Sequence, residues 1–268
     1  MARALSAALP LLLLALAGCG ESPVDSTRGD VALPVEAQAR AVSFKAADGV
    51  TVFANYRPVP NARALIVLSH QGGANRREFA TIAPRLVADG FATLAIDQRS
   101  GGTMFAGANR TVQTLGGSTS YDAAQPDVEA AVRWAQAQGR PVMLLGSSYS
   151  AALATRVAAE HPELAGLLLF SPGEYLADGQ AVMAAARRLR VPLFVTSSRE
   201  PEEVADARAL VAAAPATTKV LHVPNTATVH GASSLTAELN PSGADGVWNA
   251  MNGFLDRVAP GTARPPAR

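Results

Sequence analysis

Cysteine is all but missing from this chain of 268 residues: Cys19 stands alone, so no intramolecular disulfide can form and the core must hold the fold. Lysine and arginine form no cluster, and the formal net charge is only +1. That balance leaves no electrostatic footprint for nucleic acid and points to a small or neutral ligand. No internal repeat is present. What the chain has in quantity is apolar residues, 49% of the total, enough for one large domain with a sizeable core.

The first nineteen residues, MARALSAALPLLLLALAGC, carry one arginine, an apolar stretch too short to span a bilayer comfortably, and a small-residue finish. That is the layout of a secretory signal, to be left out of the fold. Its last four residues, Leu16-Ala17-Gly18-Cys19, resemble the lipobox of bacterial lipoproteins. The resemblance implies removal of residues 1–18, lipidation of Cys19, and a protein exported and anchored by lipid to a bacterial membrane, on its periplasmic or cell-surface side. An ordinary signal peptide is the alternative. Residues 19–40, polar and with two prolines, suit a flexible tether, residues 41–258 form the expected domain, and residues 259–268 read as a frayed tail.

Within the domain, apolar β-branched runs bounded by turn residues alternate with alanine-rich segments of helical spacing, which predicts a mainly parallel sheet with helices on both faces. AVSFKA and VTVFANYRPV, separated by Ala47-Asp48-Gly49, read as an opening antiparallel hairpin. ALIVLSH, FATLAIDQR, PVMLLGSS, LAGLLLFSP, VPLFVTSS and KVLHVP complete eight strands. Helices are expected over residues 78–90, 123–139 with Pro126 in the first turn, 149–162 and 202–215. Residues 100–120, rich in Gly, Ser and Thr, are expected to be irregular and to border a ligand site.

The chemistry concentrates in GSSYSA, residues 146–151. A strand that ends in glycine and turns sharply into a helix can expose one side chain at its apex, provided the residues two before and two after are small. Ser148 has Gly146 before it and Ser150 after it. The apolar run ends at Leu145, which puts Ser148 at the apex and Ser150 already in the helix, and Leu145 in the small site excludes Ser147. A serine needs an imidazole to take its proton and a carboxylate to hold that imidazole's tautomer. Of four histidines, His161 ends a helix and His222 lies inside a strand; His70 sits in a loop before the serine and His230 in a loop after the last strand.

The elbow, and the order in which serine, acid and histidine follow one another, resemble the α/β-hydrolases, whose elbow is most often G-x-S-x-G; here Ser150 replaces the last glycine. The resemblance covers nearly the whole domain and implies the α/β-hydrolase fold: an eight-stranded, mostly parallel sheet with helices on both faces. Between the sixth and seventh strands there is room for one helix and no large cap domain. The family's acid follows the penultimate strand, where Glu200 lies nearest the strand end and is the expected carboxylate, with Glu203 next. The family's oxyanion donors correspond to the Tyr149 N–H and, in the loop HQGG that resembles its HG-x loop, the Gly72 N–H. His70 is expected to brace that loop, and Asp97 and Arg99 to form structural pairs. The implied activity is that of a serine hydrolase, carboxylesterase-like, acting on a small ester through a Ser148, His230, Glu200 triad and without a cofactor. A thioesterase, a peptidase, or a binding lipoprotein without turnover are the alternatives on the same fold.

Overall fold

The structure, a computed structural model, describes residues 38–226 and 228–261. The signal segment and Cys19 lie outside the described residues. Eight strands form one sheet in the order β1-β2-β4-β3-β5-β6-β7-β8. In chain order these are β1 (Arg40–Lys45), β2 (Thr51–Arg57), β3 (Leu65–Ser69), β4 (Ala92–Asp97), β5 (Val142–Ser147), β6 (Gly166–Phe170), β7 (Leu193–Thr196) and β8 (Lys219–His222). β2 pairs antiparallel with both β1 and β4, and every other neighbour pair is parallel. The eight strands and the opening hairpin are as expected from the sequence.

The central strands are buried along their whole length, as continuous apolar runs such as LIVLS and VMLLGS require. Alternate residues feed two cores. Leu65, Val67, Leu144, Leu167 and Leu169 pack with α3 (Gln125–Gln136), α4 (Tyr149–Glu160), α5 (Ala181–Ala186) and α6 (Pro201–Ala213). Ile66, Leu68, Met143, Leu145 and Leu168 pack on the other face with α1 (Ile82–Ala88) and α7 (Ala244–Val258), whose Val247, Trp248, Met251, Phe254 and Leu255 make one apolar stripe.

Three elements differ from the sequence expectation. The helix expected over 78–90 is a 3-10 turn, Arg76–Phe79, followed by α1, because Asn75 caps early by accepting the Arg77 N–H at 2.9 Å. The stretch 100–120 is not wholly irregular: α2 (Arg110–Leu115) starts where the Asn109 side chain accepts the Val112 N–H and stops at left-handed Gly116. No element was expected at α7. The insertion between β6 and β7 holds only the short helix α5, so no large cap covers the sheet's carboxyl edge.

That edge is where the site must lie. β3 has β4 on one side and β5 on the other, so the loops leaving β3 and β5 diverge and open a crevice between them. The expected brace and pairs line its base. His70 is fully buried, with Nδ1 donating to the Gln71 carbonyl at 2.8 Å and Nε2 accepting the Gln98 N–H at 3.0 Å. Asp97 accepts from the Arg76 and Arg110 amides and the Arg76 guanidinium, while Arg99 is clamped between Asp127 and Asp48.

Candidate active site

β5 drives straight into α4 through one residue, Ser148, whose backbone takes φ 60° and ψ −125°. A non-glycine residue there is strained, and the strain lifts its side chain out of both elements. The turn requires close approach behind it: a side chain on Gly146 would overlap the Ser150 carbonyl oxygen and stand 2.6 Å from its carbonyl carbon. The Ser148 N–H is anchored to the Phe170 carbonyl at 2.8 Å.

The three serines of the elbow have different environments. Ser150 is fully buried, donating to the His70 carbonyl and accepting from the Gln98 side chain at 2.9 Å, so it braces the elbow helix on the β3 loop. Ser147 is also fully buried, donating to Glu78 Oε1 at 2.7 Å and accepting the Ala232 N–H at 2.9 Å. Ser148 alone reaches the surface, at 8% exposure. Nearby, the Tyr175 hydroxyl donates to the Ser171 carbonyl at 3.2 Å, and burial pushes this phenol up in pKa.

His230 arrives on the loop after β8 and precedes a 3-10 turn, Gly231–Leu235. Its neighbours are pinned against the elbow: the Gly231 N–H donates to Ser171 Oγ at 2.9 Å, and a side chain on Gly231 would meet Ser147 Oγ at 2.6 Å. The Tyr175 ring stands edge-on to the imidazole, with centroids 6.5 Å apart.

The carboxylate that meets His230 is Glu203, with Oε1 at 2.8 Å from Nδ1. Glu200, the acid expected from its nearness to the strand, is instead the exposed N-cap residue of α6, with no side-chain capping bond. The reason is helical geometry. Pro201 starts α6 at once, so the next carboxylate able to turn back towards the sheet edge is one turn along, at position 203. Burial would push the Glu203 carboxyl up, but hydrogen bonds from His230, the Ser171 hydroxyl and the Ser198 N–H outweigh it and hold the carboxyl down at about 2.

Gly72 lies in the loop that leaves β3, and Tyr149 directly follows Ser148 at the start of α4. Neither amide has a protein acceptor among the described residues. Tyr149 opens α4, so its N–H also carries the positive end of the helix dipole. Glu78 escaped sequence reasoning. It is 3% exposed and accepts the Gln71 N–H at 2.7 Å as well as the Ser147 hydroxyl, and burial pushes its carboxyl up to about 7. Among the described residues no group of His, Cys, Asp and Glu side chains could hold a metal ion.

A β-sheet of this order, a strained serine between β5 and its helix, and no large cap are the marks of the α/β-hydrolase class. Residues 60–241, more than half of the chain, match the model of the serine aminopeptidase S33 family, and the chain belongs to that family. The sequence matches no curated protein. Among solved structures it is similar in fold to a dienelactone hydrolase from Anabaena variabilis, at 16% identity over 83% of this chain and 98% of that one, with TM-score 0.65. An esterase from Pyrococcus furiosus superposes with TM-score 0.61 at 18% identity, over 82% of this chain and 90% of its own. A cold-adapted esterase from an Arctic intertidal metagenomic library gives TM-score 0.62 at 22% identity, over 84% and 96% of the two chains.

Proposed function

We propose that the protein is a serine hydrolase of small carboxylic esters that works through an acyl-enzyme. The observations that carry this reading are a strained serine at the elbow apex that reaches the surface and, on a loop packed against that elbow, a histidine already held by a carboxylate. Ser148 Oγ attacks the ester carbonyl carbon while His230 Nε2 takes its proton. Glu203, bonded to Nδ1, keeps the imidazole in the tautomer that leaves Nε2 free and stabilises the imidazolium that follows. The Gly72 and Tyr149 amides, aimed at neither helix nor strand partners, receive the oxyanion. His230 then returns the proton to the departing alcohol, and a water deprotonated by the same imidazole cleaves the acyl-enzyme and frees Ser148.

Support for an ester over a peptide comes from the short connection between β6 and β7, which builds no enclosed channel over the elbow. The family's description as aminopeptidase keeps amide substrates as the second reading. A fluorophosphonate probe on the purified domain tests the chemistry: labelling that disappears in Ser148→Ala is expected, and labelling that persists in that variant, or is absent from the wild type, refutes it. Short esters, thioesters and aminoacyl amides compared side by side separate the substrate classes. We further propose export and lipidation at Cys19; radiolabelled palmitate should mark the full chain in cells and fail to mark Cys19→Ala.

A further inference from the structure

Tyr121 lies on the segment joining α2 to α3, in none of the residues assigned above. Its ring stacks on that of Tyr149, with centroids 4.2 Å apart and planes 18° apart. Its hydroxyl lies over Gly72: a side chain on Gly72 would overlap Tyr121 Oη and stand 3.1 Å from Cζ. One phenol therefore touches both residues whose amides face the developing charge.

Two further facts make this phenol a donor in waiting. The side chain is 39% exposed, and its hydroxyl has no hydrogen-bond partner among the described residues. Yet the backbone that carries it is held on both sides. The Thr119 N–H donates to the Arg99 carbonyl at 3.0 Å, the Ser100 hydroxyl donates to the Ser120 carbonyl at 2.7 Å, and the Tyr121 carbonyl accepts the Ala124 N–H at 3.1 Å. The next residue, Asp122, accepts the Ala177 N–H at 3.0 Å and pairs with Arg156. A phenol that makes no hydrogen bond to the described residues, on a fixed backbone and with its ring stacked on Tyr149, is placed to donate when charge develops beside it.

We propose that Tyr121 is a catalytic residue, its phenolic O–H giving the substrate's carbonyl oxygen a third hydrogen bond as that oxygen becomes an oxyanion. The inference rests on the serine-hydrolase reading and adds to it a side-chain donor beside the two amides. No proton is transferred: the phenol keeps its hydrogen and shares it with the oxygen through the tetrahedral intermediate.

The test is Tyr121→Phe, which keeps the ring and its stacking and removes only the O–H. With p-nitrophenyl acetate, kcat is expected to fall about 10- to 100-fold, with KM within about twofold of wild type, since a donor used in the transition state acts on kcat. The matching thionoester carries the control. Sulfur is a weak acceptor, so the loss on going to Tyr121→Phe should shrink to about threefold or less there. A variant whose kcat stays within about twofold of wild type on the ester overturns the proposal. So does an equal loss on ester and thionoester, which is what a damaged or partly unfolded site would produce. If the wild type neither hydrolyses esters nor takes the fluorophosphonate on Ser148, the hydrolase reading itself falls and this inference with it; a Ser148-labelled, active wild type beside an unaffected Tyr121→Phe removes this inference alone.

Discussion

Glu203→Gln is the perturbation that discriminates best between the carboxylate nearest the strand in sequence and the one that meets the histidine in space. Glu203 is surrounded by donors: His230 Nδ1 at 2.8 Å, the Ser198 N–H at 2.9 Å and the Ser171 hydroxyl. An amide has one acceptor oxygen. If that oxygen faces His230, the NH2 confronts the Ser198 N–H; if it faces Ser198, the NH2 confronts Nδ1–H and drives the imidazole towards the wrong tautomer. Those hydrogen bonds hold the carboxyl at about 2 against an ordinary 4.5, so the acceptor is fully ionised at neutral pH. Replacing a triad carboxylate by its amide has cost about 10⁴ in kcat in a serine protease. A fall in kcat of between about 10² and 10⁴ is therefore expected in saturation kinetics on p-nitrophenyl acetate, or roughly 3–5 kcal/mol of barrier. Glu200→Gln, altering an exposed side chain with no bond to the site, should stay within about twofold, its effect confined to a few tenths of a kcal/mol at a helix N-terminus. Glu203→Gln retaining kcat within about threefold, or Glu200→Gln losing as much, would refute the assignment.

Asp127→Ala strips Arg99 of its buried partner, whose two oxygens accept the Arg99 N–H and guanidinium at 2.6–3.0 Å; urea denaturation should show a loss of about 3–5 kcal/mol, and a loss below about 1 kcal/mol would contradict the pairing. Gly146→Ala forces a methyl group into the Ser150 carbonyl, so its melting temperature should drop and Ser148 labelling slow; unchanged values would mean the elbow has slack it does not show. For pH, two buried groups oppose each other. His70 has its pKa lowered chiefly by burial, so its contribution is complete above about pH 6.5 and is lost as the pH falls further. Glu78 is raised to about 7, so its contribution is complete below about pH 4.5 and is lost as the pH rises through 7. Glu78→Gln removes the second effect, so between pH 7 and 5 the variant should lose about 2 kcal/mol more stability on acidification than wild type, and parallel denaturation profiles would refute this.

The sheet was legible because each buried strand is an uninterrupted apolar run with turn residues at its ends, a pattern that survives whatever packs above it. Helices were harder. α7 carries its stripe at Val247, Trp248, Met251, Phe254 and Leu255, a helical period that lies open to reading in the sequence. α2 hides inside a Gly/Ser/Thr-rich stretch whose composition argues for a loop; its only local signals are the cap residues Asn109 and Gly116. The carboxylate that meets His230 was misplaced for a different reason. Distance along the chain favours Glu200, but once Pro201 begins a helix, direction matters more than distance, and only position 203 points its carboxylate back to His230.

Glu78 shows where reading one residue at a time stops. In RREF it looks like an acid at a helix start, and nothing in its neighbours marks it for the site. Its meaning comes from three loops that meet only after folding. The Gln71 N–H stands beside Gly72, the Ser147 hydroxyl beside Ser148, and the Ala232 N–H, which donates to that same hydroxyl, two residues after His230. A fully enclosed carboxyl is costly to ionise, as its pKa near 7 records, and an apolar residue of similar size would serve the core better. What an apolar residue lacks is a pair of acceptors in one rigid plane. Those acceptors tie the loop after β3 and the elbow together directly, and the His230 loop through Ser147. Hydrophobic periodicity reports which residues face the core; it carries no information about which distant donors will share an acceptor, so a tie of this kind is found only in three dimensions.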